Sequence, residues 1–163
     1  MKKQYTFRWI IFLVCVFIIS GGYSTQAGDS KDMGGWGIND PYNKLYNAAD
    51  VERIKVVVTE VKEVIPIPGM SPGVALVVKE GGEGEELLVH LCPIWYKKTS
   101  QIGIRKGEKI NLRGYFAEIN GEEVIMAAKI KRKGKSFKVR LSSDGTPFWT
   151  LSPAALQKEL SGE

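Results

Sequence analysis

His90 and Cys92 are the two side chains of this sequence that combine metal-binding chemistry with close spacing. They lie two residues apart near the end of a predicted strand, and side chains two apart on a strand point to the same face. Imidazole and thiolate are both ligands of zinc or copper. Two ligands do not complete a site, and the sequence has no second histidine and no Cys-x-x-Cys motif. The pair therefore indicates either a metal or redox accessory site or a packed strand end.

A second chemical feature is the basic segment of residues 129–140, which holds seven positive charges and no acid. Alternation around Gly134 would set several of these side chains on one face of a hairpin, a shape suited to phosphate-rich surfaces. The alternative is a solvated edge hairpin whose charges block aggregation. The candidate partner-binding residues in this segment are Lys129, Lys131, Arg132, Lys133, Lys135, Lys138 and Arg140.

Aromatic side chains supply the remaining candidates for partner binding. A groove for a peptide, glycan or other flat ligand would be lined by Trp36, Trp95, Tyr96, Phe148 and Trp149, because large rings bring much contact area, and Trp95, Tyr96 and Trp149 are the partner-binding candidates among them. The alternative is that Trp95 and Trp149 cover the ends of a barrel.

Catalytic residue patterns are sparse in this chain. His90 is the only imidazole, no Gly-x-Ser-x-Gly motif is present, and the glutamates cluster in a predicted turn at residues 80–86. Glycosidase chemistry needs two carboxyl groups held across a cleft, and no such pair is indicated. We therefore expect a protein that is not an enzyme and that carries no cofactor.

The N-terminal residues 1–27 have the order of an export signal. A basic start precedes an unbroken apolar run of residues 9–19, and small residues lead to Ala27. An uncleaved membrane anchor is the alternative. Cleavage would lower the net charge from +5 to +2, because three basic residues and no acidic ones precede Gly28. We expect the periplasm or the extracytoplasmic face of the inner membrane, where nucleic acid is not an expected partner.

Five main strands are predicted from the alternation of apolar residues and from turn residues. They are placed at residues 51–65, 74–79, 86–91, 108–119 and 123–131, with a bulge in the long first strand and a tight Asn120-Gly121 hairpin. A short sixth strand follows at residues 136–141, and Ser152-Pro153 would begin a terminal helix. A non-alternating segment of residues 92–103 separates the third and fourth strands.

This order predicts an all-β fold, a small OB-fold-like Greek-key barrel of five to six strands. The segment between strands 3 and 4 would plug one end through Ile94, Trp95 and Ile102. The predicted organisation is a signal at residues 1–27, a flexible lead-in at 28–50, the barrel at 51–150 and a C-terminal tail with a short helix at 151–163.

Several short motifs resemble a known group of exported bacterial domains. They are Leu91 to Tyr96 (LCPIWY), Lys106-Gly107-Glu108, Arg113-Gly114, Ala127-Ala128 and the closing Gly145 to Trp149 (GTPFW). The chain resembles the C-terminal domain of magnetosome-associated proteins and related uncharacterised periplasmic proteins, over roughly residues 42–149. The resemblance implies an exported binding or assembly module.

Taken together, these features predict a non-enzymatic cell-envelope module that docks a protein or an anionic surface. Membrane contact is expected only through the N-terminal segment or the basic hairpin, and the sequence does not indicate an oligomeric state. The alternative is a metal or redox accessory protein that uses His90 and Cys92.

Overall fold

The structure, a computed structural model, describes residues 32–161, and the predicted export signal lies outside this range. Six strands form one sheet in the described chain, and the first five are rich in β-branched or alternating apolar residues. Their bounds are β1 Glu52–Val64, β2 Gly73–Glu80, β3 Glu86–Pro93, β4 Lys109–Ile119, β5 Glu122–Arg132 and β6 Lys135–Lys138.

The first five strands form a barrel-like ring. The strand order is β3-β2-β1-β4-β5-β6, and a parallel pairing of β3 with β5 joins the two sides of the sheet. The other neighbours in this order pair antiparallel, and β6 extends the sheet beyond the ring. The predicted all-β class, with its five-strand barrel-like arrangement and sixth strand, is confirmed.

Strand β1 is long enough to pair with two neighbouring strands. Its residues 52–57 pair with β4, whereas residues 56–64 pair with β2. The register with β2 shifts between Val58 and Glu60, at the bulge that the sequence predicted. A bulge bends a strand and increases its twist, and so helps the sheet to curve.

One hydrophobic core fills the ring. Inward-facing aliphatic residues from all five strands are buried there, among them Val58, Leu76, Val89, Leu112 and Ile125.

The segment between β3 and β4 carries the helical turn α2 (Thr99–Ile102), and Ile102 is buried as predicted for a plug residue. Ile94 packs on the core as a partly buried residue. Trp95 is instead 45% exposed, so it does not act as a plug.

Residues 33–50 belong to the folded unit, in contrast to the flexible lead-in that their composition predicted. Trp36 is completely buried, and its indole Nε1 donates a hydrogen bond to the carbonyl of Ser71 at 2.8 Å. Tyr42, in the short helix α1 (Pro41–Lys44), is also buried and meets the Trp36 ring edge-on at 4.9 Å. Two anchoring rings are enough to fix a Gly-rich segment, and composition does not reveal them.

The C-terminal helix α3 (Pro153–Ser161) begins where the sequence predicted. Ser152 Oγ accepts a hydrogen bond from the Ala155 amide at 3.3 Å, which is the expected N-terminal capping contact. Across residues 32–161, the helices are all too short or too polar to cross a membrane.

Candidate functional site

On the outer surface of the sheet, four basic residues form a row across four neighbouring strands, each directly opposite the next. Arg53 of β1 lies opposite Arg113 of β4, Arg113 lies opposite Lys129 of β5, and Lys129 lies opposite Lys138 of β6. Directly opposite residues on adjacent strands have Cβ atoms about 5 Å apart. The four charges therefore form a continuous line across the sheet.

A second row runs parallel to the first. It consists of Lys55, Asn111, Lys131 and Ser136, again paired strand to strand. The row between them points inward, because Leu112 and Ile130 are buried in the core. The alternation of a pleated sheet thus places apolar side chains inside and the basic rows outside.

Three adjoining depressions, of about 880, 250 and 370 Å³, lie on this side of the sheet, and Asn111 lines all three. None of their lining residues is acidic, and none is aromatic. We define the basic face by the ten cationic lining residues Arg53, Lys55, Lys109, Arg113, Lys129, Lys131, Arg132, Lys133, Lys135 and Lys138.

The two rows of basic residues destabilise the sheet. Like charges directly opposite each other on adjacent strands are destabilising, by an amount comparable to the roughly 0.2–1 kcal/mol of a favourable pair. Arg113 has such a neighbour on both sides, Arg53 and Lys129. Local arrangements that work against folding are concentrated at functional sites. The basic face is therefore the best candidate for a binding surface.

Arg132 and Lys138 each contact a specific partner within the protein. Arg132 forms an ion pair with Glu108 at 3.1 Å, and Lys138 donates to the main-chain carbonyl of Glu159 at 2.8 Å. Lys133 and Lys135 are exposed near the tip of the hairpin. Lys133 and Gly134 both have positive φ, 42° and 75°, as a two-residue turn of this type requires.

Six of the seven basic residues predicted at 129–140 are thus brought together, and Arg140 is not. Arg140 is 3% exposed, so its prediction as a surface residue is wrong. Its guanidinium donates to Asn43 Oδ1 at 2.7 Å and to the Gly145 carbonyl at 3.2 Å, and it lies over the Tyr46 ring at 4.5 Å. The side chain turns inward because the chain leaves β6 before Arg140 and pairs there with Pro147.

Sequence reasoning missed Arg53, Lys55, Lys109 and Arg113. They lie on β1 and β4, distant in sequence from the basic hairpin, and only strand register brings them beside it. The available signal was their even spacing along the predicted strands, because residues two or four positions apart on a strand lie on the same face.

The three depressions are not lined by any of the aromatic candidates, which differ in exposure. Trp149 is buried and donates through Nε1 to the Trp36 carbonyl at 2.8 Å, as a core residue would. Tyr96 is half-buried, with its ring 6.0 Å from that of Trp149. Trp95 is the exposed member of the three.

His90 and Cys92 are both buried. Burial lowers the pKa of His90 to about 4 and raises the pKa of the Cys92 thiol to about 12, so both side chains are neutral at pH 7. A protonated thiol is a poor metal ligand and nucleophile. Within residues 32–161, no three His, Cys, Asp or Glu side chains form a group that could hold a metal ion.

Comparison with known proteins assigns the strand-rich part of the chain to a family. No curated protein and no solved structure matches it significantly. A model of the MamS/MamX magnetosome protein family matches residues 50–137, more than half of the chain, from the start of β1 into β6. This match agrees with the resemblance given by the short motifs. The chain therefore belongs to the MamS/MamX magnetosome protein family.

Proposed function

We propose that the chain is an exported, non-enzymatic, OB-fold-like module that docks an anionic partner of the cell envelope through the basic face. The observation that carries this proposal is the register of the basic rows. Three successive pairs of cations across four strands concentrate positive charge along one line of the surface, and such a line of charge attracts an anionic partner.

The OB-fold-like assignment is supported by the topology of the ring. A five-stranded ring with a helical segment between its third and fourth strands matches the predicted chain order of that fold. Such barrels commonly serve as binding scaffolds, and fold alone does not identify the ligand.

Export is supported by the order of charge, apolar run and small residues at positions 1–27. An exported module meets phosphate-bearing headgroups and polymers, and a cluster of cations attracts them at long range.

A binding role, as opposed to catalysis, is supported by the state of the two most reactive side chains. His90 is neutral and shielded from solvent, and the Cys92 thiol is held protonated. Neither side chain contributes to the basic face.

The test is binding of the exported protein to vesicles that contain phosphatidylglycerol, with neutral phosphatidylcholine vesicles for comparison. We expect binding to the anionic vesicles alone, weakening steeply as salt rises. The variant Lys131→Gln/Lys133→Gln/Lys135→Gln should bind roughly a hundredfold more weakly, because each lysine near the surface contributes about 1 kcal/mol.

The matched control is Lys44→Gln/Lys106→Gln/Lys158→Gln, which changes the net charge equally at exposed lysines outside the basic face. It should retain most of the binding. An equal loss in both triple variants would mean that net charge alone drives binding, and binding that is insensitive to salt would contradict the proposal.

A further inference from the structure

We infer that the basic face accepts one extended, phosphate-bearing linear polymer, lying across β1, β4, β5 and β6. This inference rests on the proposed function, because it specifies the anionic partner of the same site. The polymer is distinguished from a flat headgroup surface by the shape of the face and from nucleic acid by the side chains that line it.

The rows provide a repeated set of charges along one direction. Neighbouring strands lie about 4.8 Å apart, so the row from Arg53 to Lys138 spans about 14 Å. A chain that runs perpendicular to the strands meets a cation at each strand. Two of these cations, Arg53 and Arg113, carry planar guanidinium groups that bind phosphate oxygens in a bidentate manner.

The depth of the face favours a chain over a flat surface. Arg113 and Lys129, in the middle of the first row, are half-buried, whereas Arg53, Lys131, Lys133 and Lys135 are exposed. A flat membrane would touch the exposed cations first and would reach the half-buried ones less readily. A flexible chain can enter the depressions, which share the lining residue Asn111.

The two ends of the basic face limit where the polymer can lie. One depression reaches Gly81, whose amide donates to the Lys55 carbonyl at 3.0 Å, where the acidic turn of residues 80–86 begins. Those glutamates would repel a polyanion, so the chain is confined between this turn and β6.

The absence of aromatic lining argues against a nucleobase-bearing polymer. Proteins that bind single-stranded nucleic acid combine a basic groove with aromatic rings on which the bases stack. The three depressions are lined by basic, polar and aliphatic side chains, without a ring. Recognition through the phosphate chain alone is what this lining supports.

The experiment compares four probes on the exported protein: inorganic polyphosphate, orthophosphate, a single-stranded oligonucleotide with the same number of phosphates, and phosphatidylglycerol vesicles. We expect polyphosphate to bind at least tenfold more tightly than orthophosphate at equal phosphate concentration. It should also bind more tightly than the oligonucleotide.

Two double variants with equal charge change separate the parts of the face. Arg53→Gln/Arg113→Gln should weaken polyphosphate binding at least tenfold and reduce the slope of log affinity against log salt by about 1.5, since each phosphate contact contributes about 0.7–0.9. Its vesicle binding should weaken by a smaller factor than its polyphosphate binding. Lys133→Gln/Lys135→Gln should show the opposite preference, with the larger loss on vesicles. Thermal melts check that both variants fold.

Four outcomes overturn the inference. Vesicle binding without polyphosphate binding would leave the proposed function intact and remove only the linear polymer. The linear polymer would also be ruled out if Arg53→Gln/Arg113→Gln bound polyphosphate as tightly as the unaltered protein. The same conclusion would follow if the oligonucleotide bound as tightly as polyphosphate. Failure of every anionic probe to bind would remove the proposed function as well.

Discussion

At the scale of single residues, burial changes what the chemically suggestive side chains can do. His90 and Cys92 have the spacing of half a metal site, yet both are buried and neutral at pH 7. Arg140 belongs to a basic run in the sequence, yet it lies inside the protein against Asn43 and Tyr46. The type of these residues is readable from the sequence, and their surroundings are not, because surroundings depend on residues up to 97 positions away.

His90 makes the stability of the protein depend on pH. Its pKa falls from 6.5 to about 4 on folding, so between these values the unfolded state binds more protons and stability rises with pH. We expect the free energy of unfolding to be insensitive to this group above pH 6.5 and to decrease by up to about 3 kcal/mol as the pH falls from 6.5 towards 4.

Urea denaturation at a series of pH values measures this dependence, with His90→Gln as the comparison. The variant should lose the part of the pH dependence that lies between pH 6.5 and 4. An unchanged slope in the variant would show that other groups cause the acid destabilisation.

At the scale of strands, the sequence was most informative about where elements begin and end. Alternation placed β4 and β5 to within about a residue, and the Asn120-Gly121 turn has positive φ at both positions, 56° and 81°, as a two-residue hairpin turn needs. Register between distant strands was not readable. The alignment of Arg53 with Arg113 joins segments 60 positions apart, and it is the alignment that creates the basic face.

The opposed charges of the rows predict that a single neutralisation stabilises the sheet. Arg113→Gln removes repulsion from both Arg53 and Lys129, so we expect the free energy of unfolding to rise by about 0.5 kcal/mol at low ionic strength. The gain should disappear near 1 M salt, where screening is strong. Urea unfolding at both ionic strengths measures it.

Lys106→Gln provides the control for Arg113→Gln, because Lys106 is exposed and lies outside the strands. It should leave the unfolding free energy almost unchanged at either ionic strength. A loss of stability in Arg113→Gln at low salt would mean that favourable contacts of Arg113 outweigh the repulsion.

At the scale of the whole molecule, the N-terminal segment of the described chain completes the fold. Gly73 begins β2 directly against the Trp36 ring, and a Cβ at this position would collide with that ring. Composition suggested a flexible segment because glycine and aspartate dominate residues 28–40, whereas tertiary contacts with Tyr42, Ser71 and Gly73 give Trp36 its place.

Gly73→Ala should therefore displace Trp36 and destabilise the protein by about 1–3 kcal/mol, the usual cost of overpacking. Thermal unfolding and a shift of tryptophan emission towards longer wavelength report the change. In a Trp36→Phe background the added methyl group should cost much less, because a smaller ring leaves room. Equal costs in both backgrounds would rule out this packing explanation.

Charge is also divided across the whole chain. Residues 28–100 carry 8 basic and 11 acidic side chains, whereas residues 101–163 carry 12 basic and 7 acidic ones. Folding concentrates this division further, because β1 contributes Arg53 and Lys55 to the positive side. The asymmetry favours docking of an anionic partner in one orientation.

The most direct measurement is an NMR titration of isotope-labelled protein with short-chain polyphosphate, following the backbone amides. We expect the largest shifts on β1, β4, β5 and β6 around Arg53, Arg113 and Lys131, with the exposed Trp95 and its neighbours unaffected. Shifts centred on Trp95 and Tyr96, or the absence of any saturable shift at low salt, would contradict the assignment of the basic face as the binding site.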